Sequence, residues 1–88
     1  MYVITPYTKA KAKTMGLTVR PSKRQYKKLD VFKDGNLLAS VGDVRYADFP
    51  TYLQTKGRDY AERRRELYLK RHKKDSGVSG ILARELLW

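Results

Sequence analysis

His72 is the single histidine of this 88-residue chain, and Asp43 and Asp48 suggest a carboxylate pair. A histidine that moves protons needs a nucleophile, a metal or an orienting acid beside it. The run "RHKKD" offers no evident partner of that kind, so the expected role of His72 is structural. Asp43 and Asp48 span a loop and a helix start, where turn and cap chemistry accounts for them. There is no cysteine, which removes thiolate nucleophiles, disulfides and cysteine-bound metal. One histidine leaves no histidine-based metal site either. Gly35, Gly42 and Gly57 are scattered turn glycines without a phosphate-binding loop pattern. The expectation is a non-enzyme with no metal and no cofactor.

The chemistry that remains is cationic. Twenty Lys/Arg stand against nine Asp/Glu, a formal net charge of +11. The charge is uneven. Residues 1–28 carry Lys9, Lys11, Lys13, Arg20, Lys23, Arg24, Lys27 and Lys28 and no acid. Residues 29–57 are near neutral, and residues 58–75 hold eight bases against four acids. Solubility alone is served by mixed signs, so an acid-free opening tract points to a polyanionic partner. Aromatic residues are interleaved with these cations. Tyr26 lies within "KRQYKK", and Tyr2 and Tyr7 bracket the start of the basic tract, an arrangement able to stack on unpaired bases or to anchor weak segments on the core. Tyr46, Tyr52, Tyr60 and Tyr68 have positions that suit core packing.

The stretch "YAERRRELYLKRHKKD" concentrates the second cationic block on one helix. At about 100° per residue, Tyr60, Ala61, Leu67 and Tyr68 fall on one arc, which Arg64 and Arg71 share. Arg63, Lys70 and Lys74 form a row at one edge, free to meet phosphates or simply water. Arg65 and His72 mark the other edge, and Leu69 falls toward water with Glu62, Glu66 and Lys73. A guanidinium drawn toward the core needs an acceptor. The candidates are Asp43, Asp48 and the carboxylate of Trp88. The expectation is that Trp88 folds back beside this helix, with its carboxylate paired to Arg64 or Arg71.

These residues need a scaffold. "TPYTKAKAKTMG" predicts a short helix capped by Thr5, with Pro6 in its first turn and Gly16 as its stop. "LTVRPS" predicts a short extended segment. "LDVFKDGNLLASVG" predicts a hairpin over 29–41 turning at Asp34-Gly35. Helices follow at about 48–56, 58–74 and 79–87, with Asp48 and Ser79 as caps and "DSG" ending the middle one. The fold class is α+β: a basic N-terminal arm with a short helix (1–28), then a core (29–88) in which the hairpin, with a possible third strand, packs against two or three helices. No apolar run approaches the ~18 residues of a membrane span, and no signal-peptide core opens the chain. A protein that is not secreted and acts inside a cell is expected.

"LTVRPS", "KLDVFKDG", "ASVGDVRYADFPTYLQTKG", "YAERRRELYLKRHKKD" and the final "LLW" resemble a family of small uncharacterised viral proteins of single-stranded DNA phages and large DNA viruses. The resemblance runs over residues 16–88. It departs at "SGVSGILARE", where the family carries an aromatic-rich stretch. It implies a viral origin, with the virion or the host-cell interior as its location, and supplies no catalytic residues. Together with the charge it favours a protein that binds nucleic acid, most simply the packaged genome as DNA, without sequence preference. The contacts would be Lys9, Lys11, Lys13, Arg20, Lys23, Arg24, Lys27 and Lys28, with Arg63, Lys70 and Lys74 as a second line. The competing class is a minor capsid or cement protein docking on acidic capsid surface, and a third is an inhibitor of a host protein.

Overall fold

Turn chemistry decides the sheet. In a computed structural model that describes residues 2–74 and 77–88, Asp34 and Gly35 both take positive φ (51° and 81°). That is the pair of left-handed residues a tight hairpin turn requires. They join β2 (Leu29–Lys33) to β3 (Asn36–Val41), antiparallel, with Lys33 opposite Asn36 and Leu29 opposite Val41. Val31 pairs with Ala39 and Phe32 with Leu37, so Leu38 is an extra residue that bulges from β3. The extended segment before the hairpin forms a third strand, β1 (Thr18–Pro21), antiparallel to β2. Pro21 lies on this edge strand, where a missing N–H is tolerated. The sheet order is β1-β2-β3.

Helix α1 (Pro6–Thr14) begins as its sequence dictates: the Thr5 hydroxyl accepts from the Thr8 amide at 3.3 Å, and Pro6 opens the first turn. Gly16 follows at φ 69°. Helix α2 (Phe49–Thr55) is capped by the Asp48 carboxylate, which accepts from the Thr51 amide at 3.1 Å. Helix α3 (Arg58–His72) starts at Gly57 and α4 (Val78–Leu87) at Gly77. Ser79 is therefore inside the first turn of α4 rather than its cap. Asp75 and Ser76, expected to end α3, lie outside the described residues.

The core is built from Ile4, Ala12, Leu29, Val31, Val41, Leu82, Leu86 and Leu87. Leu82, Leu86 and Leu87 form the helix-spaced stripe of α4, which packs on the sheet while α1 packs on α4. The Thr8 hydroxyl donates to the Leu86 carbonyl at 2.8 Å and fixes that helix pair. The first 28 residues are thus part of the core and not a separate arm: Ile4 and Ala12 are buried in it, and β1 completes the sheet. The α+β architecture stands, with four helices and three strands among the described residues.

Helices α2 and α3 form a second unit packed on each other. Little aliphatic surface joins them to the rest. Of α3 only Ala61 is buried. The arc expected to be hidden is rotated: Leu67 is 49% exposed, while Leu69 is half-buried. Tyr60 is 39% exposed with its ring against Tyr52, and Tyr46, expected in the core, is 71% exposed. The contact is made instead by flat rings. Trp88 stacks on Tyr68 at 4.4 Å and 8°, Tyr68 stacks on His72 at 4.3 Å, and Tyr52 tilts against Trp88 at 6.2 Å. Tyr7 of α1 meets Phe49 of α2 at 5.5 Å.

Candidate nucleic-acid interface

The eight cations of residues 1–28 divide into two kinds. Lys28 follows the 22–27 loop at the start of β2, and its backbone bonds to the Val41 carbonyl point its side chain inward. Its Nζ lies 2.8 Å from Asp48 Oδ2, with side chains 5% and 1% exposed. The carboxylate accepts further from the Tyr2 hydroxyl at 2.7 Å. Burial alone would raise the Asp48 pKa, but the bonds from Lys28, Thr51 and Tyr2 outweigh it and hold it below the usual carboxylate value. Burial, then the Asp48 bond and charge, push the Tyr2 hydroxyl upward, so it remains a donor. Lys28 is therefore a structural cation and not a phosphate contact. Its charge is spent on Asp48, a partner twenty residues away that no local pattern signals.

The others face outward. Lys9 and Lys13 are exposed on α1, and Lys23, Arg24 and Lys27 on the loop before β2. Lys11 is half-buried along Tyr7, its Nζ 5.1 Å from the ring centroid. Arg20 on β1 is exposed and lies over Phe32 at 5.5 Å. Arg63, Lys70 and Lys74 are exposed on α3 and the turn after it. Among the described residues the ion pairs within 4 Å are Lys28–Asp48 and Asp43–Arg45. None of the remaining cations of the predicted contact set takes part in either.

Two acids expected to serve the cations of α3 are engaged elsewhere. Asp43 accepts from the Arg45 amide at 2.9 Å and its guanidinium at 2.7 Å, which lower its pKa to about 2. Asp48 belongs to Lys28. Asp30, on the opposite sheet face from Leu29 and Val31, accepts from Ser22 and Ser40 at 2.6 Å each. Its burial opposes ionisation, yet those bonds together with the Lys23 amide and the charge of Arg24 leave its pKa lowered.

Arg64 and Arg71 correct the expected ion pair. Trp88 does fold back beside α3, but through its ring, and its main-chain oxygen accepts from the Tyr7 hydroxyl at 3.3 Å. Neither arginine has an acidic partner within 4 Å among the described residues. Arg71 is exposed. Arg64 is half-buried with its guanidinium over Tyr52, Cζ 5.6 Å from the centroid, and neighbouring Arg65 lies over Phe49 at 5.0 Å. Aromatic faces, not carboxylates, are what these guanidiniums meet. The Arg64 Nε is buried without a hydrogen-bond partner.

The structure brings Arg64 and Arg71 to one cleft of about 430 Å³ with Lys27, Tyr52, Tyr68 and Trp88. Lys27, from the N-terminal tract, and the two arginines, assigned on sequence to structural pairing, therefore share a site. The signal was present in the spacing of Arg64, Tyr68 and Arg71 but lacked the position of α4. Among the described residues no cluster of His, Asp or Glu is arranged to hold a metal ion. No described helix is long and apolar enough to cross a membrane. Comparisons with family models, curated proteins and solved structures returned no match.

Proposed function

We propose that the protein binds nucleic acid through phosphate contacts, without sequence preference. The observation that carries this reading is the unneutralised charge of residues 1–28: apart from Lys28, none of their Lys and Arg side chains has an acidic partner within 4 Å among the described residues. Seven cations in that tract, with Arg63 and Lys70 on α3 and Lys74 on the turn after it, thus remain available to phosphates. Binding of this kind releases condensed counterions and weakens steeply with salt. The resemblance of residues 16–88 to small viral proteins is the reason to seek the polyanion in a packaged genome, with DNA the first choice.

The test is fluorescence anisotropy with labelled duplex and single-stranded DNA at 50 and 200 mM salt. Five phosphate contacts on duplex give a log–log slope of about −4.5, so affinity should fall roughly 500-fold over that interval. Absence of binding to both at 50 mM would refute the reading. A second reading, docking on an acidic capsid surface, has one observation in its favour: β3 is an edge strand with Leu37 and Leu38 exposed, open to addition of a neighbour's strand. Retention on coat protein at moderate salt, with no DNA bound, would select it.

A further inference from the structure

The cleft between α3, α4 and the β3–α2 loop has features that phosphate neutralisation along a surface does not require. Its walls include the rings of Tyr52, Tyr68 and Trp88, already arranged as a stacked and tilted set. Lys27, Arg64 and Arg71 line it, and among the described residues the acidic side chain on its wall, Asp43, is held by Arg45. The buried Nε of Arg64 has no acceptor. An unmet buried donor is costly, and a charged one more so. The first turn of α4 also borders the cleft at Ser79 and Gly80, and its Gly77 start has no side-chain cap. The amides of that turn add partial positive charge.

Rings and cations in one concave site call for a ligand that is both flat and anionic. Tyr68 is sandwiched between Trp88 and His72, so Trp88 and Tyr52 are the rings a flat ligand would meet; an inorganic anion would not engage them, and an apolar ligand would leave the arginines unmet. We propose that the cleft receives one unpaired nucleotide of a bound strand, its base against Trp88 beside Tyr52 and its phosphate at Arg64 and Arg71. The inference rests on the nucleic-acid reading and adds to it a preference for single strands. A duplex keeps its bases stacked inside, whereas an unpaired base offers a free face to aromatic side chains.

Trp88 is the only tryptophan of the chain, so its emission reports on this cleft. The full chain is titrated with a thymidine 12-mer, a 12-base-pair duplex and thymidine monophosphate, following Trp88 emission, and anisotropy for the labelled strands. The 12-mer should bind more tightly than the duplex and change Trp88 emission, while the duplex leaves emission unaltered. Arg71→Gln should weaken 12-mer binding about 10-fold and leave duplex binding within about twofold. Because Arg71 is exposed, this variant should keep the parent melting temperature; Arg64→Gln serves as the second variant where its melt is unchanged. Equal affinity for both strands with constant Trp88 emission would overturn the cleft assignment and leave the surface-phosphate reading intact. Absence of any DNA binding at 50 mM salt would overturn both. An emission change with the monophosphate but no strand binding would also overturn it, since the cleft would then serve a free nucleotide.

Discussion

Replacing Asp48 by Asn tests the largest single electrostatic commitment of the fold. Asn caps a helix about as well as Asp, so the bond to the Thr51 amide can persist and the change isolates the charge. Lys28 Nζ, 2.8 Å from the carboxylate and 5% exposed as a side chain, would face a neutral amide. Breaking a buried pair by removing one partner costs about 3–5 kcal/mol; with the amide oxygen still able to accept, about 3 kcal/mol is expected. A chain of this size has roughly 4–13 kcal/mol in total, so the loss is a large share, a fall in melting temperature of roughly 12–24 °C. Lys28→Met leaves the carboxylate two donors, Tyr2 and the Thr51 amide, and should cost about 2 kcal/mol. The double variant removes both charges and should cost less than the sum, with a coupling of about 2 kcal/mol. Urea unfolding followed by circular dichroism measures all four corners. Additivity within about 0.5 kcal/mol, or an Asp48→Asn cost under about 1 kcal/mol, would show that the pair does not hold the α2 start to the sheet.

Two further outcomes follow from the same contacts. Asp48 and Asp30 have folded-state pKa values lowered below those of the unfolded chain, so the unfolded state binds more protons in acid. Their contribution is complete above the unfolded value of about 4 and is lost as pH falls through the folded values. Melting temperature should therefore be level from pH 7 to 5 and drop below about pH 4, less steeply in Asp48→Asn. At Gly42, φ is 82° and an added Cβ would stand 2.8 Å from Leu87 Cδ1 and 3.0 Å from Lys28 Cβ. Gly42→Ala should cost more than about 2 kcal/mol, combining left-handed strain with core displacement. Gly35→Ala, at φ 81° with nothing within 4 Å, should cost only about 1 kcal/mol; equal losses in urea unfolding would contradict the steric account.

Local chemistry made the hairpin, the Thr5 and Asp48 caps and the helix order readable in the sequence. Each depends on residues within four positions of one another. Lys28 and Asp48 are far apart in the chain, and a lysine in "KRQYKK" carries no mark that separates it from its exposed neighbours. The face of α3 was misread for a different reason. A helical wheel finds the buried side when aliphatic residues cluster there, and α3 attaches through Ala61, ring faces and arginine stems. With that little contrast, Leu67 and Leu69 could not be ordered, nor could Tyr60 and Tyr46 be recognised as rim residues. The cleft inherits this limit: its aromatic and cationic residues are all visible in the sequence, but their convergence depends on where α4 carries Trp88.

The way α3 is attached has a consequence for charge. Had Arg64 and Arg71 been anchored by carboxylates, the docking of α3 would have neutralised part of the second basic block. Ring faces hold guanidiniums without cancelling their charge. Asp30 is likewise satisfied by the neutral donors Ser22 and Ser40 and the Lys23 amide, so that buried acid pairs directly with no cation among the described residues. Among the described residues two acids, Asp48 and Asp43, neutralise Lys28 and Arg45 at contact distance, and the chain keeps a net charge of +11. A like-charged surface of that size repels itself, so any polyanion that binds the folded chain relieves the repulsion and stabilises it by mass action. On the nucleic-acid reading proposed above, stability and binding would be coupled through the same unpaired cations.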